Sequence, residues 1–161
     1  MVLIPNPGEV TLFRPDAAEA PMSYELTITR KPMYLHAVIT GVNNRENVEH
    51  YLEDIRNECI SRHCFRVLSE ERLEGPRLGT MDVFQIASEG SARVPGNFEA
   101  IAYVDVNAEG DLMKFAETVA TNRFVPVKVF DTVSEAERWL LGDDHGSARE
   151  RAPEHAGKPP R

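Results

Sequence analysis

Thr80 stands at the end of a turn-forming run, EGPRLGTMDVF, in which Gly75, Pro76 and Gly79 lead into an apolar helical pattern. A hydroxyl at the start of a helix has two chemical uses. As an N-cap it accepts a hydrogen bond from an orphan amide, a gain of about 1 kcal/mol. As a phosphoacceptor it would hold an anion where unpaired amides and the helix dipole favour negative charge, with Arg77 adding a charge-assisted contact. Cap preferences favour the first use. With Arg77 and Asp82, Thr80 also forms a candidate contact surface for a partner.

Two further clusters have chemically capable side chains. Cys59, His63 and Cys64 lie close together, with His50 earlier on the same segment. Structural zinc wants four ligands, commonly in paired spacings. Cys59 instead falls on an apolar helical stripe, so a reduced core thiol is expected, with His63 at the helix C-terminus where the dipole favours a cation. Glu70, Glu71 and Glu74 flank Arg72 in a strand-like run. Adjacent strand residues point to opposite faces. Glu71 therefore shares a face with Ser69 and Glu70 with Leu68, the acids do not converge, and a solvated strand end is expected. His36, alone in its strand, reads as a hydrogen-bonded packing residue. No GxSxG, GxGxxG or Walker loop is present, and the chain reads as a non-enzyme without cofactor or metal.

The elements that position these groups follow from periodicity. Tyr24 to Lys31 and Tyr34 to Thr40 alternate around Pro32 and predict a hairpin, since proline does not sit inside a central strand. ENVEHYLEDIRNECISRH carries Val48, Tyr51, Leu52, Ile55 and Cys59 at helical spacing. Asn43, with Glu46 three residues on, is its expected cap. Strands are predicted over Phe65 to Glu71, Phe98 to Val106 and Val125 to Phe130. Helices are predicted over Thr80 to Ser91, Asp111 to Asn122 and the stretch opened by a Thr132 to Glu135 capping box.

The order ββαβαβαβα implies an α/β fold, a single mixed, mostly parallel sheet with the hairpin strand at one edge. In such sheets ligands favour the loops beyond the carboxyl ends of the strands. Those loops hold Asn43, Asn44, Glu74, Arg77, Thr80, Asn107, Asp111 and Asp131, of which Asn43, Asn107 and Asp131 each precede a helix and read as caps. Residues 1–21 and 143–161 are rich in proline or charge and read as disordered tails around a domain spanning 22–142.

A formal charge of -8 and a pI near 5.1 leave no basic surplus to displace counterions from phosphates, which excludes non-specific nucleic-acid binding. No signal-like segment and no apolar run of roughly 18 residues suggests membrane insertion. The expectation is a cytoplasmic protein.

From Met22 to Leu141 the ordered elements resemble the SpoIIAA-like, or STAS, domains, the fold of bacterial anti-sigma-factor antagonists. YLHAVITG, ENVEHYLEDI, RVLSEERLEGPRLGTMDVF and VFDTVSEAERWL are similar to a bacterial branch of STAS/SEC14-type domains that has no agreed function. Regulatory STAS proteins carry an acid, then Ser or Thr, and a nearby Gly at the start of the helix after the third strand. Gly79-Thr80-Met81-Asp82 occupies that place, so Thr80 is the matching position, while the preceding acid is missing and the following Gly is replaced. The resemblance implies a non-enzymatic regulatory or protein-interaction domain that works through a protein partner, or alternatively a small apolar-ligand or lipid-binding protein of SEC14-like type. The edge strand Tyr24 to Lys31 leaves room for a homodimer.

Overall fold

A computed structural model describes residues 8–13 and 24–142. Alternation makes the first predicted hairpin: Tyr24, Leu26 and Ile28 of β2 (Tyr24–Arg30) and Leu35, Ala37 and Ile39 of β3 (Leu35–Val42) are all buried on one face. The two strands pair antiparallel with Leu26 opposite Ile39 and Ile28 opposite Ala37. Pro32 lies in the turn between them, where the Lys31 amide donates to Tyr34 O at 2.9 Å.

Outside this hairpin lies a strand the periodicity did not show. β1 (Glu9–Phe13) pairs antiparallel with β2, within the stretch expected to be a tail. Five residues between prolines are too few for a local pattern to speak; what fixes them is the unpaired edge of β2, a non-local partner. The expected edge strand is therefore interior, and β1 takes the edge. The expected C-terminal tail lies outside the described residues.

From β3 onward the sheet is parallel, with strand order β1-β2-β3-β4-β5-β6, where β4 is Arg66–Glu74, β5 Ala100–Asp105 and β6 Val127–Phe130. Neighbouring parallel strands need long crossovers, and helices supply them: α1 (Arg45–Ser61), α2 (Thr80–Ala92) and α3 (Leu112–Thr121). These three form one layer, α2 resting against α1 and α3. The last helix, α4 (Val133–Leu141), covers β4, β5 and β6 from the other side, with Ala136 and Leu140 packed on Leu68, Ala102 and Val104. The class is the expected one, α/β with a single mixed sheet, and its order is βββαβαβαβα.

Helix ends show how local chemistry sets boundaries. Asn44, not Asn43, caps α1, its side chain accepting from the Asn47 amide at 2.8 Å. Asn43 instead donates from Nδ2 to Pro76 O at 2.8 Å and ties two loops together. The Thr132 expectation holds: its Oγ1 accepts from the Glu135 amide at 3.2 Å and opens α4. That helix ends on Gly142, whose φ of 81° is left-handed backbone that glycine adopts without a Cβ clash.

Candidate functional site

Parallel register fixes what stands beside what at the carboxyl ends of β4 and β5. Ser69 lies next to Tyr103 and Glu71 next to Asp105, all four on the face under α1, α2 and α3. Tyr51 reaches the same place from the buried stripe of α1. The Tyr51 hydroxyl donates to Glu71 Oε2 at 3.1 Å and lies 2.6 Å from the Tyr103 hydroxyl, which also donates to Oε2. Glu71 is only 4% exposed. Burial pushes its carboxyl from the ordinary 4.5 up to about 7, with the Asp105 charge adding to the rise and the tyrosine hydrogen bonds and Arg77 opposing it. Both tyrosine hydroxyls are in turn held far above their ordinary range, by burial first and by the Glu71 charge second.

Within the expected solvated strand end, Glu70 and Glu71 are thus buried. Face assignment from alternation was right: Glu70 and Glu71 do point apart. The solvent assignment holds for Glu74, which is exposed, and fails for Glu70 and Glu71, because β4 is a central parallel strand with helices on both sides, and such strands bury both faces. Glu70, 3% exposed, sits under the α4 side, where its Oε2 meets His36 Nε2 at 2.8 Å and its Oε1 accepts from Arg72 Nε at 2.7 Å. His36 is hydrogen-bonded, as expected.

Arg77 belongs to this buried cluster and not to Thr80. Its Nη1 donates to Asp105 Oδ2 at 3.0 Å and its Nη2 to Leu73 O at 3.1 Å, and the side chain is mostly buried. Asn107 adds a bond from Nδ2 to Leu73 O at 2.8 Å, so this loop residue secures the strand end and caps no helix. The N-cap of α2 is Gly79, without any side-chain capping bond, and Thr80 is the first helical residue, exposed. Cap preference named the wrong residue by one. Asp82 lies on the other side of α2, 3.5 Å from Arg45 Nη1. Arg77, Thr80 and Asp82 are consequently not one converging site.

The thiols behave as core residues. Cys59 and Cys64 are both free and buried, and burial raises the Cys59 thiol to about 12. His63 follows α1 with a left-handed φ of 48° and is exposed. Among the described residues no three His, Cys, Asp or Glu side chains are grouped to hold a metal ion.

Glu71, Tyr103, Asp105, Arg77 and Asn43 form the polar end of a cavity of about 200 Å3 between α2, α3 and the sheet. The rest of its lining is almost wholly apolar, including Leu52, Val83, Ile86, Leu112, Ala116 and Val129. A second cavity of about 130 Å3 adjoins it across Ile86, Val94, Ile101 and Tyr103, and is lined by Ser69, whose buried Oγ has no hydrogen-bond partner among the described residues. α2 lies against α1 and α3, and its Ile86 joins the core under the sheet, so both spaces lie along the seams between these helices and the strands. Nothing in the periodicity of α2 foretold this.

Fold and site together define a single-sheet α/β protein with an apolar chamber closed at one end by a buried carboxyl. Comparison of the chain with models of protein families, with curated proteins and with solved structures finds no match.

Proposed function

We propose that this is a SpoIIAA-like, STAS/SEC14-type domain that binds a small, largely apolar molecule between α2, α3 and the sheet. The carrying observation is the chamber of about 200 Å3. Protein interiors are close-packed, so an apolar recess of this size between two helices and a sheet is a place where a small molecule can gain contacts that water does not offer. An apolar cavity of about 150 Å3 takes benzene, so this one suits a single substituted ring or a short branched chain. The sequence offered no spare helix as a lid; on this reading α2 and α3, whose residues line the space, enclose the ligand. No described helix is long and apolar enough to cross a membrane, and the reading is of a cytoplasmic domain.

Toluene is a suitable first probe. Titrated into the protein, it is expected to shift the methyl resonances of Val83, Ile86 and Val129 and to raise the unfolding temperature. Methyl resonances unmoved up to the solubility limit of toluene would end this reading.

A second reading, a regulatory surface for a protein partner, is favoured by the outer side of α2 and α3. Met81 is 66% exposed, and Phe84 and Phe115, also exposed, lie with ring centroids 6.5 Å apart. Thr80 and Asp82 border this patch in sequence. On this reading Thr80→Glu and Asp82→Lys release a partner captured from the host lysate, a second copy of this chain included. Retention of every captured protein by both variants would sink it.

A further inference from the structure

We propose, resting on the ligand reading above, that the second cavity is part of the same binding site. Ser69 Oγ there selects a neutral, largely apolar molecule with one acceptor oxygen, in its simplest form a ketone carbonyl.

Two buried side-chain atoms lack a hydrogen-bond partner among the described residues, Ser69 Oγ and Asn47 Oδ1. Asn47 lines neither cavity, whereas Ser69, only 2% exposed, lines the second. Parallel register puts Ser69 beside Tyr103 of β5, whose hydroxyl is already engaged with Glu71 and Tyr51. A serine hydroxyl has one proton to give and turns to deliver it. Buried without an acceptor, that donor is costly.

Water answers it poorly. A buried water needs roughly two to four polar partners, and the other buried residues of this lining, Ile55, Val67, Ile86 and Phe98, are apolar. An oxygen carried on an apolar body needs only the one partner that Ser69 offers. The charged residues of the lining, Glu49, Glu53, Arg56, Glu89 and Arg93, are exposed or half-buried on α1 and at the end of α2. Arg56 is paired with Glu53 at 3.2 Å, and the acids outnumber the arginines, so an anion is not favoured. A carboxylate buried against a single hydroxyl would lose more hydration than it regains. A neutral oxygen fits both the hydroxyl and the apolar walls.

The two cavities share Leu52, Ile86, Gly90, Val94, Ile101 and Tyr103. One molecule can therefore rest its ring in the larger and turn its carbonyl toward Ser69 in the smaller.

Acetophenone and α-methylstyrene have nearly the same planar shape and differ by an oxygen in place of a methylene. Their affinities are to be compared, with toluene as reference, in the native protein and in Ser69→Ala by calorimetry or methyl NMR. The preference for the ketone should drop about fivefold in Ser69→Ala, as loss of one neutral hydrogen bond implies, while toluene binds both proteins. Infrared spectra add a direct readout: the carbonyl stretch of bound acetophenone should lie lower in the native protein than in the variant. Without ligand, Ser69→Ala should unfold at a higher urea midpoint, because it removes a buried hydroxyl that nothing satisfies. A lower midpoint would show that the hydroxyl is already satisfied in the free protein, and would overturn the inference. An unchanged ketone preference would also overturn it, the outcome expected if the carbonyl seats on the N–H groups that Arg77 and Asn43 keep at the polar end of the larger chamber. Binding of toluene without acetophenone would overturn it too and leave the chamber reading intact. Failure of all three probes to bind would overturn both.

Discussion

Glu71 has its carboxyl under two tyrosine hydroxyls and is only 4% exposed, and its protonation is therefore tied to folding. Its folded value of about 7 lies above the ordinary 4.5, so the folded protein holds this proton more tightly than the unfolded chain does. The stability this group contributes is complete below about 4.5 and is lost as pH rises through about 7. A shift of this size amounts to about 3 kcal/mol between the two limits. Glu71→Gln keeps an acceptor for the tyrosines and has nothing to ionise. Urea unfolding should show the variant gaining on the native protein by about 3 kcal/mol between pH 4 and pH 8. A difference that stays flat with pH would mean that the carboxyl titrates alike folded and unfolded. At this scale the sequence was partly legible: alternation placed Glu71 and Ser69 on one face, while the second tyrosine and the burial came from strands and helices distant in the chain.

α2 (Thr80–Ala92) is the element on which the function turns. The helix itself was legible but its inward face was not: Met81, Phe84 and Ala87 recur at helical spacing, yet Met81 and Phe84 are exposed and the buried residues are Val83 and Ile86. Its cap was no more legible, since Gly79 ends the loop without a side-chain bond and the Thr80 hydroxyl one residue later is already inside the helix. Gly90 is the informative position. It lies within the helix and lines both cavities, and a Cβ placed there meets no atom within 4 Å. Gly90→Ala should stabilise the protein by about 1 kcal/mol through helix propensity, read as a higher urea midpoint at unchanged slope. The same methyl intrudes on the chamber wall, so toluene affinity should fall. A destabilised Gly90→Ala would show that α2 packs closer to the sheet than the open lining implies.

The whole molecule is a sheet with unequal sides. Three helices cover the face that carries Val67, Ser69, Glu71, Ile101 and Tyr103, and one helix covers Leu68, Ala102 and Val104 on the other. β1 closes the edge of β2, and Arg30 and Arg62 bind this corner together: Arg30 Nη1 donates to Arg62 O at 3.2 Å and Arg62 Nη1 to Gly8 O at 3.3 Å. Pairing of a second copy along β2 would have to displace β1. Local patterns determined the helices, the five strands from β2 to β6, the parallel crossovers and the Thr132 cap, because period and capping chemistry act within a few residues. Only the tertiary structure decided that β1 is a strand, that β4 is buried on both faces, that Arg77 turns to Asp105 and away from Thr80, and that α2, α3 and the sheet leave a chamber between them. Each of these depends on groups far apart in sequence meeting in space, where burial and the demand that buried polar atoms find partners outweigh local preference.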